Sequence, residues 1–132
     1  MIELDYAFLA EYATIQDNKL TTIGASFTRM QVLTIPTETT LSVAGRIRTP
    51  SDIDELTLHV RATPPDQSYQ LDGSLALNDL TSLPEYGEGR RGTVFALQFT
   101  LPLTDWGLYT IEVDLDETEG IDRTLKFELA QA

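Results

Sequence analysis

The stretch from Leu101 to Val113, LPLTDWGLYTIEV, constrains this chain more than any other. Asp105-x-Gly107-x-Tyr109 is followed by strict alternation. Tyr109, Ile111, Val113 and Leu115 share one face of an extended strand, while Thr110, Glu112, Asp114 and Asp116 share the other. A side-chain period of two argues for a half-buried strand and against a helix. Gly107 suits the tight turn into it, because a glycine takes positive φ without a Cβ penalty. A tyrosine just inside such a turn can bury its ring and return its hydroxyl to the backbone of the preceding corner, as in immunoglobulin-like domains. Asp105, Gly107 and Tyr109 are therefore expected to form a structural corner, the alternative being an ordinary core tyrosine after a glycine turn.

The same alternation recurs along the chain with turn residues at short intervals, which predicts one antiparallel β-sandwich of about eight strands over residues 1–132, immunoglobulin-like or Greek-key in topology. Residues 5–15 also fit a helix face, but the aromatic and alanine-rich run into Asp17-Asn18 favours a hairpin strand. Lys19 to Val32 carries Ile23, Ala25 and Phe27 on one face and Met30 and Val32 on the other parity, so a bulge or bend is expected near Thr28-Arg29, with Pro36 closing the segment. Inward sets follow at Leu41, Val43, Gly45 and Ile47, then at Leu56, Leu58 and Val60. A weaker strand is expected around Tyr69 to Leu77 with a turn at Asp72-Gly73, then an irregular stretch over 78–92. Phe95, Leu97, Phe99 and Leu101 form another inward set, and Leu125, Phe127 and Leu129 the last.

A chain of 132 residues is long enough to bury a core without staples. It has no cysteine, so neither a disulfide framework nor a thiolate metal site is available. The amino terminus lacks a basic region followed by a long apolar run, which leads to the expectation of a cytoplasmic protein. Twenty-one carboxylates against nine Lys and Arg give a formal charge of −12, which repels phosphate backbones and anionic lipid heads. Neither nucleic acid nor membrane is expected as a partner.

Several segments together resemble a known group of sequences. These are Asp5-Tyr6-Ala7-Phe8-Leu9-Ala10-Glu11-Tyr12, Lys19-Leu20 leading to Ile23-Gly24-Ala25, Phe95-Ala96-Leu97-Gln98-Phe99, and the corner from Leu103 to Tyr109. They resemble an uncharacterised family of small bacterial proteins, a domain of unknown function, over nearly the whole chain. The resemblance implies a compact β-sandwich and carries over no catalytic or binding residue.

Motifs with chemical content fail on context. Gly87-Glu88-Gly89-Arg90-Arg91-Gly92-Thr93-Val94 spells G-x-G-x-x-G-x-V, but it opens a strand rather than a helix, and the chain has neither H-R-D nor D-F-G. What survives is a candidate anion loop of Arg90 and Arg91 with nearby backbone amides. The acidic run Asp114, Asp116, Glu117, Glu119 and Asp122 departs from the EF-hand template, with Gly120 one place late and Leu125 where the bidentate Glu belongs. It reads as outward strand positions beside a solvated turn. His59 is the only histidine and faces outward, so no histidine metal cluster or Ser-His-Asp triad is built, and Gly24-Ala25-Ser26-Phe27-Thr28 misses the nucleophile elbow at its last position. Trp106, Tyr69 and Tyr86 could form a sugar-stacking or protein-binding surface, although a Trp beside a glycine turn more often caps a core.

The expectation is therefore a non-catalytic interaction or structural module, without cofactor or metal, that contacts a protein partner or itself as a homo-oligomer. The alternatives are a small-ligand or anion-binding domain and, further off, a carboxylate-pair hydrolase. Arg46 and Arg48 alternate with Gly45 and Ile47, and His59 and Arg61 with Leu58 and Val60. If these strands pair, all four gather in one candidate contact patch, which either neutralises outward carboxylates such as Glu112 and Asp114 or docks an acidic surface.

Overall fold

The computed structural model of the protein describes all 132 residues. Ten strands form in order: β1 (Glu3–Ala10), β2 (Tyr12–Gln16), β3 (Lys19–Ile23), β4 (Arg29–Val32), β5 (Thr37–Pro50), β6 (Leu56–Thr63), β7 (Leu71–Leu77), β8 (Arg90–Leu103), β9 (Gly107–Leu115) and β10 (Arg123–Gln131). Eight of them make two facing sheets, β1-β5-β8 and β4-β10-β9-β6-β7, and the other two make a separate hairpin, β2-β3. The expected count of eight falls two short because residues 5–15 and 19–32, each read as one strand, divide: the first breaks at Glu11 into β1 and β2, and the second leaves the ladder after Ile23 and resumes as β4 at Arg29 instead of bulging there. All pairings are antiparallel except β4 with β10. The sole helical element is one 3-10 turn at Leu80–Ser82, and no helix is long and apolar enough to cross a membrane.

The alternating sets close face to face. Leu41, Val43, Ile47, Phe95 and Leu101 from one sheet meet Leu58, Val60, Tyr109, Ile111, Val113, Leu115, Phe127 and Leu129 from the other, all buried in one cluster. Tyr109 stacks on Phe127 with ring centroids 5.1 Å apart, and Phe27 meets Phe127 edge-on at 5.6 Å. Gly45 belongs to the inward set for a close approach. A Cβ there would fall on the Tyr6 carbonyl oxygen and 2.9 Å from both Ala7 Cα and Phe95 Cζ, beside the irregularity in β1 between Leu4 and Tyr6.

The corner forms as the sequence requires. Gly107 has φ of 123°, and the buried Tyr109 hydroxyl donates to the Asp105 carbonyl at 2.8 Å while accepting the Thr104 and Asp105 N–H groups at 3.1 and 3.3 Å. Three backbone groups that would otherwise lie unpaired under the turn are satisfied by one phenol. Ile111 stands two residues on, where antibody domains place the second cysteine of their inter-sheet disulfide, so apolar packing replaces the covalent link.

Three expectations are corrected. Residues 71–77 run as one uninterrupted strand with Gly73 opposite Val60, because pairing with β6 overrides the turn preference of Asp72-Gly73. The irregular stretch ends at Gly89 rather than Gly92, since the β5·β8 ladder continues to Pro50 opposite Arg90. Ile23 faces solvent: the hairpin register sets it opposite Tyr12, and it is Ala13 that is buried.

Candidate functional site

The two halves of the expected patch lie on different sheets. Arg46 and Arg48 project from β5 in β1-β5-β8, whereas His59 and Arg61 project from β6 in β4-β10-β9-β6-β7. The expected four-residue patch therefore does not exist. The connection between β5 and β6 crosses from one sheet to the other, so adjacency in sequence becomes separation by the thickness of the sandwich. His59 Nε2 meets Asp116 Oδ1 at 2.6 Å, and Arg61 Nε donates to Asp72 Oδ1 at 3.0 Å. Across the ladder these two residues also sit opposite Asp114 and Glu112, the carboxylates expected to neutralise them.

On the other sheet the arginines join a new group. The Arg46 guanidinium donates Nε to Asp5 Oδ2 at 2.8 Å, engages the same oxygen through Nη2, and lies 5.4 Å from the centre of the Tyr6 ring. The hydrogen bonds it donates to Asp5 hold the Arg46 pKa above its ordinary value despite some desolvation. Arg48 Nη2 reaches Glu3 at 2.9 Å and Asp5 at 3.3 Å, and Arg90 reaches Glu3 at 3.7 Å. Next to this ladder a hollow of about 460 Å³ is lined by Tyr6, Lys19, Arg46, Tyr86, Gly92 and Val94, among others. Both tyrosines are partly exposed, at 37% and 45%.

The β2-β3 hairpin contributes Asn18, Lys19 and Leu20 to the lining, and its turn is fastened by a single side chain. Asn18, at its turn with φ of 54°, donates Nδ2 to the Gly92 carbonyl at 2.7 Å and accepts the Val94 N–H on Oδ1 at 3.0 Å. An asparagine tolerates the left-handed region that a two-residue hairpin turn demands, and here its amide also mimics a peptide group pairing with β8. Tyr86 is set by exchanging backbone hydrogen bonds with Arg90 at 2.7 and 3.4 Å across a turn containing Gly87 and Gly89, both at positive φ.

The candidate anion loop is corrected. Arg90 and Arg91 open β8, and the Arg91 side chain is nearly buried, donating Nε to the Leu83 carbonyl at 2.8 Å and Nη1 to that of Ser51, with Glu85 3.5 Å away. Its donors are spent tying the 3-10 segment to the sandwich. The acidic turn is likewise structural: Asp122 Oδ2 accepts the Leu115 N–H at 2.8 Å and the Thr118 hydroxyl at 2.6 Å. Burial and the neighbouring Asp122 push the Asp114 carboxyl above its usual range. Trp106, Tyr69 and Tyr86 do not gather into one surface: Trp106 packs against the core, the Tyr69 hydroxyl donates to the Pro102 carbonyl, and Tyr86 alone reaches the hollow. Burial raises the Tyr69 phenol to about 12.

Arg46 and Tyr86 stand as separate candidates in the sequence, whereas Tyr6, Asn18 and Lys19 join them only in the folded chain. An outward parity shared by Tyr6 and Phe8 in β1 was the available signal; the position of the hairpin over the sheet had none.

Strand order and corner define an immunoglobulin-like β-sandwich, with β1, β5 and β8 in the places of strands A, B and E, and β10, β9, β6 and β7 in those of G, F, C and C′. The chain belongs to the family of unknown function DUF6941, which it matches over residues 5–128. No curated protein matches it.

Proposed function

We propose that the protein is a non-catalytic interaction module whose contact surface is the outer face of β1-β5-β8, centred on Tyr6, Arg46 and Tyr86. The observation that carries this reading is the hollow itself, in which an arginine lies between two half-open tyrosines on a rigid sheet. Tyr and Arg are the side chains over-represented where binding energy concentrates: a tyrosine offers a large area with a polar end and little conformational entropy to lose, and the Arg46 side chain is already held by Asp5. Arg46 and Lys19 are the charged residues that line the hollow, both cationic in a chain of net charge −12. The partner that fits is a protein surface carrying carboxylates, with an association weakened by salt.

The test is photo-crosslinking in the native cell from a probe placed at position 86, followed by affinity measurement on the captured partner with Tyr86→Ala and Lys19→Glu. Each substitution is expected to weaken binding at least tenfold while leaving thermal unfolding within a degree or two, since both side chains are exposed. Unchanged affinity in both variants would overturn the assignment of this face.

A further inference from the structure

The free edge of β8 has one stretch of backbone that nothing in the protein satisfies. In an antiparallel ladder a residue directs its N–H and its C=O to the same side, and successive residues alternate between sides. Arg90 exchanges bonds with Tyr86, the Gly92 carbonyl and Val94 N–H are taken by Asn18, and the Pro102 carbonyl by the Tyr69 hydroxyl. Even-numbered residues of β8 therefore face away from β5. Between the two capped ends, Ala96, Gln98 and Thr100 present N–H and C=O groups outward with no partner.

Immunoglobulin-like domains of the constant type carry a fourth strand, D, beside E in this sheet. Here the chain leaving β7 takes the 3-10 turn and the Tyr86–Arg90 hairpin instead, and β8 ends the sheet. Beneath the open stretch, between β8 and β7, lies a cleft of about 310 Å³ whose apolar half is Val60, Ala62, Leu71, Leu97 and Phe99, with Gly73 and polar residues of the two strands, Asp72 among them, making up the rest. Leu97 and Phe99 belong to the inward set yet remain only half-buried, as inward residues of an edge strand do when no neighbour covers them.

We infer that the β8 edge between Asn18 and Tyr69 accepts an extended segment of a partner protein, added as a strand, with apolar side chains at alternate positions filling the cleft. A row of alternating main-chain donors and acceptors is complementary to another extended main chain and to little else, and residues two apart on it are spaced about 7 Å, so two successive apolar side chains reach the cleft together. The edge lacks the usual guards: Ala96, Gln98 and Thr100 carry no charge, whereas β7 across the cleft carries Asp72, held by Arg61. A net charge of −12 on each copy opposes self-pairing and selects a segment that is neutral or basic between its apolar positions. This surface lies apart from the Tyr6–Arg46–Tyr86 hollow and stands without it.

The probe is the blocked peptide Lys-Val-Thr-Val-Thr-Leu-Lys, with a control in which the central valine is proline. Binding to the full chain is followed by fluorescence anisotropy and by amide hydrogen exchange. The peptide is expected to slow exchange at Ala96, Gln98 and Thr100 at least tenfold, the proline control to leave it unchanged, and Tyr86→Ala to leave peptide affinity unchanged. Gln98→Pro removes an outward N–H that β5 does not use, and Gly73→Ala, whose Cβ would stand 3.7 Å from Leu97 Cδ2, narrows the cleft without a clash. Each is expected to weaken binding several-fold or more. Absence of protection at the three amides in the native chain overturns the inference whatever the variants do. So does a concentration-dependent dimer that protects them without peptide, because the occupant is then a second copy.

Discussion

At the scale of single residues, two side chains show how burial decides between opposite outcomes for a polar group. Tyr109 is fully enclosed and its hydroxyl makes three hydrogen bonds to the backbone of the corner. Tyr109→Phe leaves those groups unpaired and is expected to cost about 1–2 kcal/mol in chemical denaturation, with the ring stacking on Phe127 preserved. Gly107→Val is expected to cost more, since a β-branched residue at φ of 123° is strained whatever space surrounds it. Asp114 is the opposite case: its Oδ1 is buried without a hydrogen-bond partner, and burial with Asp122 alongside raises its pKa above the ordinary carboxylate value. A raised pKa means that the folded state holds the proton more tightly than the unfolded state. Stability is therefore lost as pH rises from the ordinary carboxylate range through the raised value, and the penalty persists at neutral pH. Asp114→Asn is expected to raise the melting temperature at pH 7, with the gain vanishing as the pH falls below about 4. An equal gain at every pH would show that the charge of Asp114 is not its cause.

At the scale of elements, the β2-β3 hairpin is the part of the fold with the thinnest attachment. It buries Ala13 over the outer face of β5 and β8, where Ser42, Ala44 and Val94 lie beneath it, and its turn is held by the Asn18 amide. Small residues on both sides allow the close approach, but they provide little apolar area, about 25 cal/mol for each Å² removed from water. Asn18→Ala is expected to lower stability by about 1–2 kcal/mol and, more tellingly, to speed amide exchange across residues 12–23 far more than in β9 or β10. Uniform acceleration would mean that the hairpin unfolds only with the whole domain. The inner strands stand apart from this, because β5 and β9 each pair on both sides and bury their full inward sets.

For the whole molecule, the distribution of the few cations matters more than their number. Arg46 and Arg48 bind the carboxylates of β1, with Asp5 largely shielded from solvent, whereas Arg61 forms an exposed pair with Asp72. Arg46→Ser together with Arg48→Ser is expected to loosen β1 and lower the melting temperature by several degrees. Arg61→Ser is expected to change stability by less than about 1 kcal/mol, as exposed ion pairs do. Equal effects would show that pairing with β1 does not anchor that edge of the sandwich.

The sequence by itself determined the class of fold and most of the core, because period-two alternation, glycine at a positive-φ turn and a tyrosine beside it are local consequences of backbone geometry. The inward sets from Leu41 to Ile47, from Leu56 to Val60 and from Tyr109 to Leu115 were legible for that reason, and so was the hairpin turn at Asp17-Asn18. Membership of DUF6941 follows the same residues. What the tertiary structure decided was which faces meet. Arg48 and His59 lie eleven positions apart in the chain and alternate with inward residues in the same way, yet the crossing between β5 and β6 sends them to opposite sides of the molecule. Tyr6, Lys19 and Tyr86 meet around Arg46 only because three separate connections return to one sheet, and the unpaired edge of β8 exists only because the chain after β7 turns away from it. Periodicity is set within a few residues along the backbone; the pairing of distant strands is set by the burial of their faces together, which no short window of sequence contains.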